Sequence, residues 1–120
     1  MPGYKELIAY KKAFALSMAI YEISKNFPKE EKYSLTDQIR RSSRSVCANL
    51  AEAYRRRKYP AHFISKLSDS DSENAETGVW IEFSYSCNYI NETDFKKLND
   101  KMEEVGKLLG YMINHPEKFN

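Results

Sequence analysis

The chain has 120 residues and a formal net charge of +2, from 19 Lys and Arg against 17 Asp and Glu. This length suits one domain and leaves no room for a second core of ordinary size. With 42% hydrophobic residues, 30% charged residues and only four Gly and four Pro, the composition excludes a disordered chain and favours helices over a turn-rich β fold.

The sequence shows no targeting or membrane segment. No N-terminal stretch combines a basic start, an apolar run and a cleavage site, and none approaches the roughly 20 apolar residues that span a bilayer. We therefore expect a cytoplasmic protein without membrane contact. The two cysteines, Cys47 and Cys87, lack metal-ligand spacing, so both are predicted to be small buried apolar side chains.

Apolar residues recur at steps of three and four from Leu7 to Phe27, the spacing of one helical face. The pattern predicts a first helix over about residues 5–26. Pro28 follows it and marks its end, because proline cannot continue a helix.

A second helix is predicted over about residues 35–57. Ser34 followed by Asp37 resembles a capping box at its start. Ser42 and Ser43 interrupt the apolar stripe of this helix, so its core face is thin and suits a close approach of its neighbours.

Two further helices complete the chain. Pro60 suits the first turn of a helix, predicted over about residues 61–89. A near-heptad pattern predicts a last helix over about residues 92–114. Three glycines inside these helices predict close helix packing: Gly78, Gly106 and Gly110.

Short connections between long helices make sequential neighbours antiparallel. The predicted fold is therefore an all-α, up-down-up-down antiparallel four-helix bundle, formed as a single domain over residues 1–120.

Residues 38–58 keep helical periodicity while carrying seven basic residues and one acidic residue. Folding the second helix back on the acidic third helix places Arg44 near Glu73, and Arg40 and Arg41 near Glu76. We therefore expect these three arginines to form ion pairs, either within a chain or between subunits.

The cations after this stretch lie at the turn between the second and third helices, far from those carboxylates. Antiparallel packing brings the start of the first helix and the end of the fourth to the same end, which predicts one basic pole of the kind that contacts phosphates. The alternative is a solvated helix end whose cations complement the helix dipoles. The predicted nucleic-acid-binding residues are Arg55, Arg56, Arg57, Lys58, Lys66, Lys11 and Lys12.

Several motifs in this order resemble one known family. They are L-x-x-Y-x-x-A from Leu7 to Ala13, the run IYEISKNFPKEEKYSLTDQIRRSSRSVCANLAEAYRRR, and Ser70-x-x-Glu73-x-x-Glu76. Together they resemble the small four-helix-bundle proteins encoded in intervening sequences of bacterial 23S ribosomal RNA. The resemblance implies no known enzymatic activity and, for relatives, ring-like homopentamers in which neighbouring bundles pack side by side.

A related branch resembles the accessory proteins of diversity-generating retroelements, basic pentameric barrels that bind nucleic acid and work with a reverse transcriptase. The resemblance thus implies three kinds of partner: further copies of the chain, RNA or DNA, and a protein such as a reverse transcriptase. It also implies a polar network between helices or subunits. With Arg44 added from the charge pattern, the network residues are Gln38, Arg40, Arg41, Arg44, Ser45, Asn49, Glu52, Glu73 and Glu76.

The sequence shows no nucleophile with a base and no phosphate-cradling glycine loop. Glu52, Glu73 and Glu76 resemble the inward carboxylates of di-metal bundles, but the accompanying Glu-x-x-His is missing. We therefore expect no enzymatic activity, cofactor or metal. Two functions stay open: a homo-oligomer that binds RNA or DNA through the basic pole, and a structural or protein-interaction module without a nucleic-acid role.

Overall fold

A computed structural model of the protein describes residues 3–119 as four long helices joined by short connections. The helices are α1 (Ile8–Ser24), α2 (Leu35–Arg55), α3 (Pro60–Ser86) and α4 (Glu92–Asn114). Short 3-10 helices cover Tyr4–Glu6, Lys29–Glu31 and Pro116–Phe119.

Each helix packs against the next in the chain, and α4 closes the bundle against α1. The bundle measures 44 × 25 × 22 Å. Residues 3–119 contain no strand, so the predicted up-down-up-down four-helix bundle is confirmed. None of the helices in this range is both long and apolar enough to cross a bilayer.

The centre of the bundle combines large apolar side chains with small polar ones. Leu16, Ile39, Phe63 and Leu109, one from each helix, are fully or almost fully buried. The buried Ser42 and Ser43 of α2 face different neighbours, since Thr77 Oγ1 of α3 donates to Ser42 Oγ at 2.9 Å and Ser17 Oγ of α1 lies 3.1 Å from Ser43 Oγ. Thr77 and Ser17 are themselves buried, and so is Ser70 of α3. The Ser70 hydroxyl donates to the Val46 carbonyl at 2.8 Å. These short side chains allow close approach of the helices while satisfying every hydroxyl named.

Three helices are shorter than the sequence predicted. Leu7 has an extended backbone (ψ 131°), so α1 begins at Ile8 rather than near residue 5, and it ends at Ser24. Helix α2 ends at Arg55 rather than at residue 57. Helix α3 ends at Ser86 rather than at residue 89, because the chain reverses at Asn88.

Asn88 adopts a left-handed conformation with φ 62°. The N–H of Asn88 donates to the Tyr85 carbonyl at 2.9 Å, and the N–H of Tyr89 donates to the Ser84 carbonyl at 2.9 Å. This is the Schellman arrangement, in which asparagine is tolerated where glycine is usual. It satisfies the last carbonyls of α3 and turns the chain toward α4.

The predicted capping box at the start of α2 is wrong. Ser34 Oγ does not cap the helix but donates to Glu31 Oε1 at 2.6 Å, and the same carboxylate oxygen accepts the N–H of Leu35 at 3.3 Å. Tyr89 Oη donates to Glu31 Oε2 at 2.7 Å. Bonds from Ser34 and Tyr89 hold the pKa of Glu31 below its ordinary value, and the Glu31 carboxylate raises the pKa of Tyr89 to about 12. Glu31 therefore caps α2 and ties its start to the end of α3.

The two cysteines differ in their exposure to solvent. Cys47 is buried, and burial raises the pKa of its thiol to about 11. Cys87 is exposed at the C-cap of α3, so the prediction that both cysteines are buried is wrong for Cys87. Its position past the end of the shortened helix explains the error.

Candidate nucleic-acid interface and polar helix network

The basic pole is the end of the bundle formed by residues 55–58, where α2 ends and the chain turns into α3 at Pro60. Arg55, Arg56 and Lys58 are exposed, and Arg57 is half-buried. Within residues 3–119, no carboxylate oxygen lies within 4.0 Å of a cationic nitrogen of these four side chains. The pole is thus a cluster of cations without ionic partners in the described chain.

Aromatic side chains flank this cluster. The Arg57 guanidinium lies 4.1 Å from the centroid of the Tyr54 ring and donates to the Tyr54 carbonyl at 2.8 Å. Arg57 therefore closes the last turn of α2, as cations at helix C-termini do. Tyr59 is 64% exposed and meets His62 edge to face, with ring centroids 6.2 Å apart. Of the two tyrosines, Tyr59 has its ring open to solvent.

The two chain ends described by the structure meet at the same pole. The 3-10 helix Tyr4–Glu6 packs against α2, and the ring of Phe119 lies 6.4 Å from that of Phe63 near the start of α3. Antiparallel packing thus gathers cations from distant parts of the sequence. The added cationic side chains include those of Lys5 and Lys118, which belong to the 3-10 helices at the two described chain ends.

Two of the predicted nucleic-acid-binding lysines have acidic neighbours. Lys11 Nζ lies 3.6 Å from Glu6 Oε2, and Lys12 Nζ lies 3.6 Å from Glu104 Oε1. Both pairs are solvent-exposed, so each contributes little to stability. They do lower the local positive charge beside the unpaired cations of residues 55–58.

Lys66 belongs to a polar network rather than to the unpaired cations. Its Nζ lies 2.7 Å from Glu52 Oε2 and 3.9 Å from Asp69 Oδ2, and it donates to Asn49 Oδ1 at 3.1 Å. Asn49 Nδ2 in turn donates to the Ser45 carbonyl at 2.9 Å. These contacts join α2 to α3 within one chain.

Arg41 forms the second half of the network. Its Nη1 donates to Glu73 Oε2 at 2.9 Å, its Nη2 also contacts Glu76, and its Nε donates to Gln38 Oε1 at 3.2 Å. Trp80 Nε1 donates to Glu76 Oε2 at 3.1 Å. Arg41 therefore finds its carboxylates within its own chain.

The geometry explains the electrostatics of this pair. The hydrogen bond from Arg41 holds the pKa of Glu73 below its ordinary value, Ser45 adds to the effect, and burial opposes it. The Glu73 carboxylate likewise raises the pKa of Arg41. Both charges are thus stabilised at neutral pH.

Within residues 3–119, Arg40 and Arg44 do not pair with the carboxylates of α3, and their pairing between subunits stays a prediction. Arg40 Nε donates to Ser24 Oγ at 2.8 Å, and its guanidinium lies 4.9 Å from the centroid of the Tyr21 ring on α1. The Arg44 guanidinium lies 5.9 Å from the same centroid. Successive helical residues are about 100° apart, so Arg40 and Arg41 cannot face the same neighbouring helix.

The family assignment follows from the whole chain rather than from any single contact. The 23S rRNA-intervening sequence protein family matches residues 5–111, nearly the whole length. The chain belongs to this family. A crystal structure of a protein of unknown function from the S23 ribosomal protein family of Bacteroides thetaiotaomicron is similar, with a TM-score of 0.81 and 30% sequence identity over 89% of this chain and 96% of that one. A search of curated proteins found no significant match.

Sequence reasoning missed one member of the network in this 23S rRNA-intervening sequence family protein. Trp80 lies four residues after Glu76 on α3, one helical turn away, and its indole N–H is a second donor to that carboxylate beside Arg41. The spacing is visible in the sequence, but a lone tryptophan is more often a core residue. The structure instead leaves Trp80 half-buried beside the network.

The network carboxylates do not form a metal site. Glu52 pairs with Lys66, whereas Glu73 and Glu76 share Arg41. Across the described part of the chain, no group of three His, Cys, Asp or Glu side chains is placed to hold a metal ion. The arrangement is that of a structural polar network, in which cations and carboxylates satisfy one another.

Proposed function

We propose that this protein binds the phosphate backbone of RNA or DNA through the basic pole, by contact rather than catalysis. The observation that carries the proposal is the contrast between cations. Arg55, Arg56 and Lys58 are exposed with no carboxylate partner in residues 3–119, whereas Lys11, Lys12 and Lys66 each have at least one. Unpaired exposed cations are those that release phosphate counterions on binding.

The roles of the pole residues differ by geometry. Arg55, Arg56 and Lys58 supply exposed charges for backbone contacts. Arg57 is held on the Tyr54 ring and orients the turn. The exposed ring of Tyr59 offers a surface on which an unpaired base can stack, a contact worth about 1–3 kcal/mol per base. This combination favours binding without strong sequence preference.

The proposal includes self-association, with the pentamer implied by the family resemblance as its expected form. Helix α3 carries an exposed stripe at spacings of three and four, formed by Ser65, Ser68, Ser72, Ala75, Val79 and Phe83. The stripe contains no charge and ends in two exposed apolar side chains, as suits contact with another helix. A second copy as its partner would place several basic poles in one assembly and strengthen binding through multivalency. Sedimentation velocity measures this association directly.

A second candidate function is protein interaction without nucleic acid. It is favoured by an apolar groove of about 340 Å³ between the start of α1 and the end of α4, beside the basic pole. Ile8, which lines the groove, is 64% exposed. An apolar segment of a protein partner is the occupant that this lining suits. A reverse transcriptase, implied by the resemblance, stays a prediction for that partner.

The experiment compares two variants with equal net charge. The pole variant combines Arg55→Gln, Arg56→Gln and Lys58→Gln, and leaves Arg57 in place to preserve the turn. The control variant combines Lys29→Gln, Lys96→Gln and Lys97→Gln, which are exposed at the opposite end of the bundle. Affinity for single-stranded and duplex RNA and DNA is measured against salt concentration.

We expect the wild type and the control variant to bind with a steep salt dependence. The pole variant should bind at least tenfold more weakly at low salt, with a salt slope reduced by about 0.7–0.9 for each phosphate that the protein no longer neutralises. Equal weakening in both variants would show a net-charge effect and contradict the pole. If the wild type does not bind at low salt, the protein-interaction function is favoured instead.

A further inference from the structure

A cleft lies where α2 begins, at the end of that helix opposite the basic pole. It encloses about 530 Å³ and is lined by Lys32, Tyr33, Thr36, Asp37, Arg40, Arg41 and Arg44. From Arg44, the lining residue of α2 nearest the pole, to Arg55 the helix rises about 16 Å, at about 1.5 Å per residue. The cleft is therefore separate from the proposed nucleic-acid contact at residues 55–58.

The cleft carries excess positive charge. Arg41 is neutralised by its carboxylates on α3. Lys32, Arg40 and Arg44 have no carboxylate oxygen within 4.0 Å of their cationic nitrogens among residues 3–119, and Asp37 is the one acidic side chain in the lining. Three cations face one carboxylate, so an anion gains more from entering than a cation.

The two arginines of the cleft without a carboxylate partner in the described chain, Arg40 and Arg44, are already positioned. Arg40 donates to Ser24 Oγ at 2.8 Å and to the Tyr21 carbonyl at 3.5 Å, and both guanidinium groups lie near the Tyr21 ring. A guanidinium has five N–H donors, so Arg40 keeps donors for a ligand after these contacts. Prior ordering lowers the entropic cost of binding.

The first turn of α2 supplies donors from the backbone. Glu31 takes the N–H of Leu35, but the N–H groups of Thr36 and Asp37 have no acceptor within the described residues. Thr36 is only 8% exposed, and its Oγ1 is buried without a hydrogen-bond partner in the same part of the chain. A buried hydroxyl without a partner is costly, and Thr36 is one of the residues that line the cleft.

We infer that this cleft binds a phosphate group. Its oxygens would accept from the Arg44 and Lys32 side chains and from the first-turn N–H groups and Thr36 hydroxyl of α2, where the helix dipole favours an anion. The phosphate comes either from a nucleic-acid backbone or from a free phosphate or phosphomonoester. The inference does not depend on the basic pole.

The test follows backbone amide and arginine side-chain NMR signals of the full chain during titration with inorganic phosphate, with sodium acetate and sodium chloride as anion controls. We expect saturable shifts at Thr36, Asp37 and Arg44 with phosphate and none with the controls. The variant Lys32→Gln with Arg44→Gln should lose at least fivefold in phosphate affinity. Lys29→Gln with Lys97→Gln, which removes the same charge elsewhere, should lose less than twofold.

Thr36→Val separates a ligand site from a merely structural position. Because the buried hydroxyl has no partner, its removal should raise the unfolding temperature of the phosphate-free protein while lowering phosphate affinity at least threefold. Titration with oligothymidine bearing or lacking a 5′ phosphate distinguishes the sources. Shifts with both indicate backbone phosphodiesters, and shifts only with the phosphorylated strand indicate phosphomonoesters.

The inference is overturned if phosphate causes no saturable shift at these residues, or if acetate or chloride shifts them equally. It is also overturned if the Lys32 and Arg44 substitutions leave phosphate affinity unchanged. None of these results bears on the pole variant, whose effect is measured at residues 55–58. The two proposals can therefore fail separately.

Discussion

At the scale of single residues, Arg41 decides how α2 and α3 are joined. Its guanidinium lies between Glu73 and Glu76, and Gln38 accepts its remaining Nε–H. The Arg41 side chain is 46% exposed and that of Glu73 is 19% exposed, so water screens part of the attraction. The contact is therefore a geometric link with modest energy rather than a deeply buried ion pair.

A double-mutant cycle with Arg41→Gln and Glu73→Gln should measure that energy. We expect a coupling of about 0.5–1 kcal/mol in the free energy of unfolding at pH 7, because the pair is charged and multidentate but partly exposed. Urea denaturation measures the three variants and the wild type. Glu82→Gln, which removes an exposed carboxylate without an ion-pair partner in residues 3–119, is the control and should change stability by less than about 0.5 kcal/mol.

The same pair predicts a pH dependence. The pKa of Glu73 is lowered in the folded state from its ordinary value of 4.5, so its stabilising contribution is fully present above that value. It is lost as the pH falls through the lower folded pKa. The stability difference between wild type and Glu73→Gln should therefore shrink on acidification below about pH 4.5, and a constant difference down to about pH 2 would contradict the assignment.

At the scale of helices, the sequence predicted the positions of the helices along the chain better than the side-chain contacts between them. Proline and polar turns placed all four helices in the sequence, because these residues act on the local backbone. Neighbouring arginines do not share a partner as expected, because the facing of a side chain depends on how each helix is rotated about its axis. Arg40 turns to Tyr21 on α1 while Arg41 turns to α3. Periodicity alone does not specify that rotation.

The glycines also show that the sequence does not specify which residues of a helix face a neighbouring helix. A Cβ at Gly78 would lie 2.8 Å from Met102 Cε, and one at Gly106 would lie 3.4 Å from Asn74 Nδ2, so both face a close neighbour. A Cβ at Gly110 would meet no atom within 4 Å among the described residues, so the predicted close packing at Gly110 is wrong within the chain. Gly110 therefore leaves α4 with a flexible residue and no packing benefit.

Gly110→Ala should stabilise the protein by about 0.5–1 kcal/mol, because alanine restricts the unfolded chain and favours the helix. Gly106→Ala is the matched control in the same helix and should gain less, since the buried Asn74 amide must shift to admit the methyl group. Chemical denaturation of both variants gives the comparison. A loss of stability for Gly110→Ala would show that its surface is not open.

At the scale of the whole molecule, antiparallel topology determines where charge collects. The sequence predicts Arg55–Lys58 at the α2 to α3 turn, and the structure has them there, because a short connection between two helices fixes that end. The sequence does not reveal that Lys66 pairs with Glu52, since that contact depends on how α2 and α3 pack together. The sequence also does not reveal the cleft at the start of α2, because that site depends on Tyr21 of α1 lying close to Arg44 of α2, on the same helix as Thr36.

The polar network removes one reason for self-association and leaves another. The sequence predicts that the polar faces of α2 and α3 need a second subunit, but Arg41, Glu73 and Lys66 are satisfied within one chain. Support for an oligomer comes instead from the uncharged stripe of α3, where Val79 is 48% and Phe83 is 53% exposed. Apolar side chains one helical turn apart gain about 25 cal/mol for each Å² that a neighbour covers.

We therefore expect the wild-type protein to sediment as a homo-oligomer at micromolar concentration. Replacing Val79 and Phe83 with Gln should shift it toward the monomer without unfolding it, because both side chains are exposed in the single chain. Ile8→Gln is the control, since it removes an exposed apolar side chain outside the α3 stripe, at the other end of the bundle, and should leave the assembly intact. A wild type that sediments as a monomer would contradict self-association, and an intact oligomer in the Val79 and Phe83 variant would place the contact on another face. Circular dichroism of each variant confirms that the helices persist, so that a change in sedimentation reports on the α3 stripe alone.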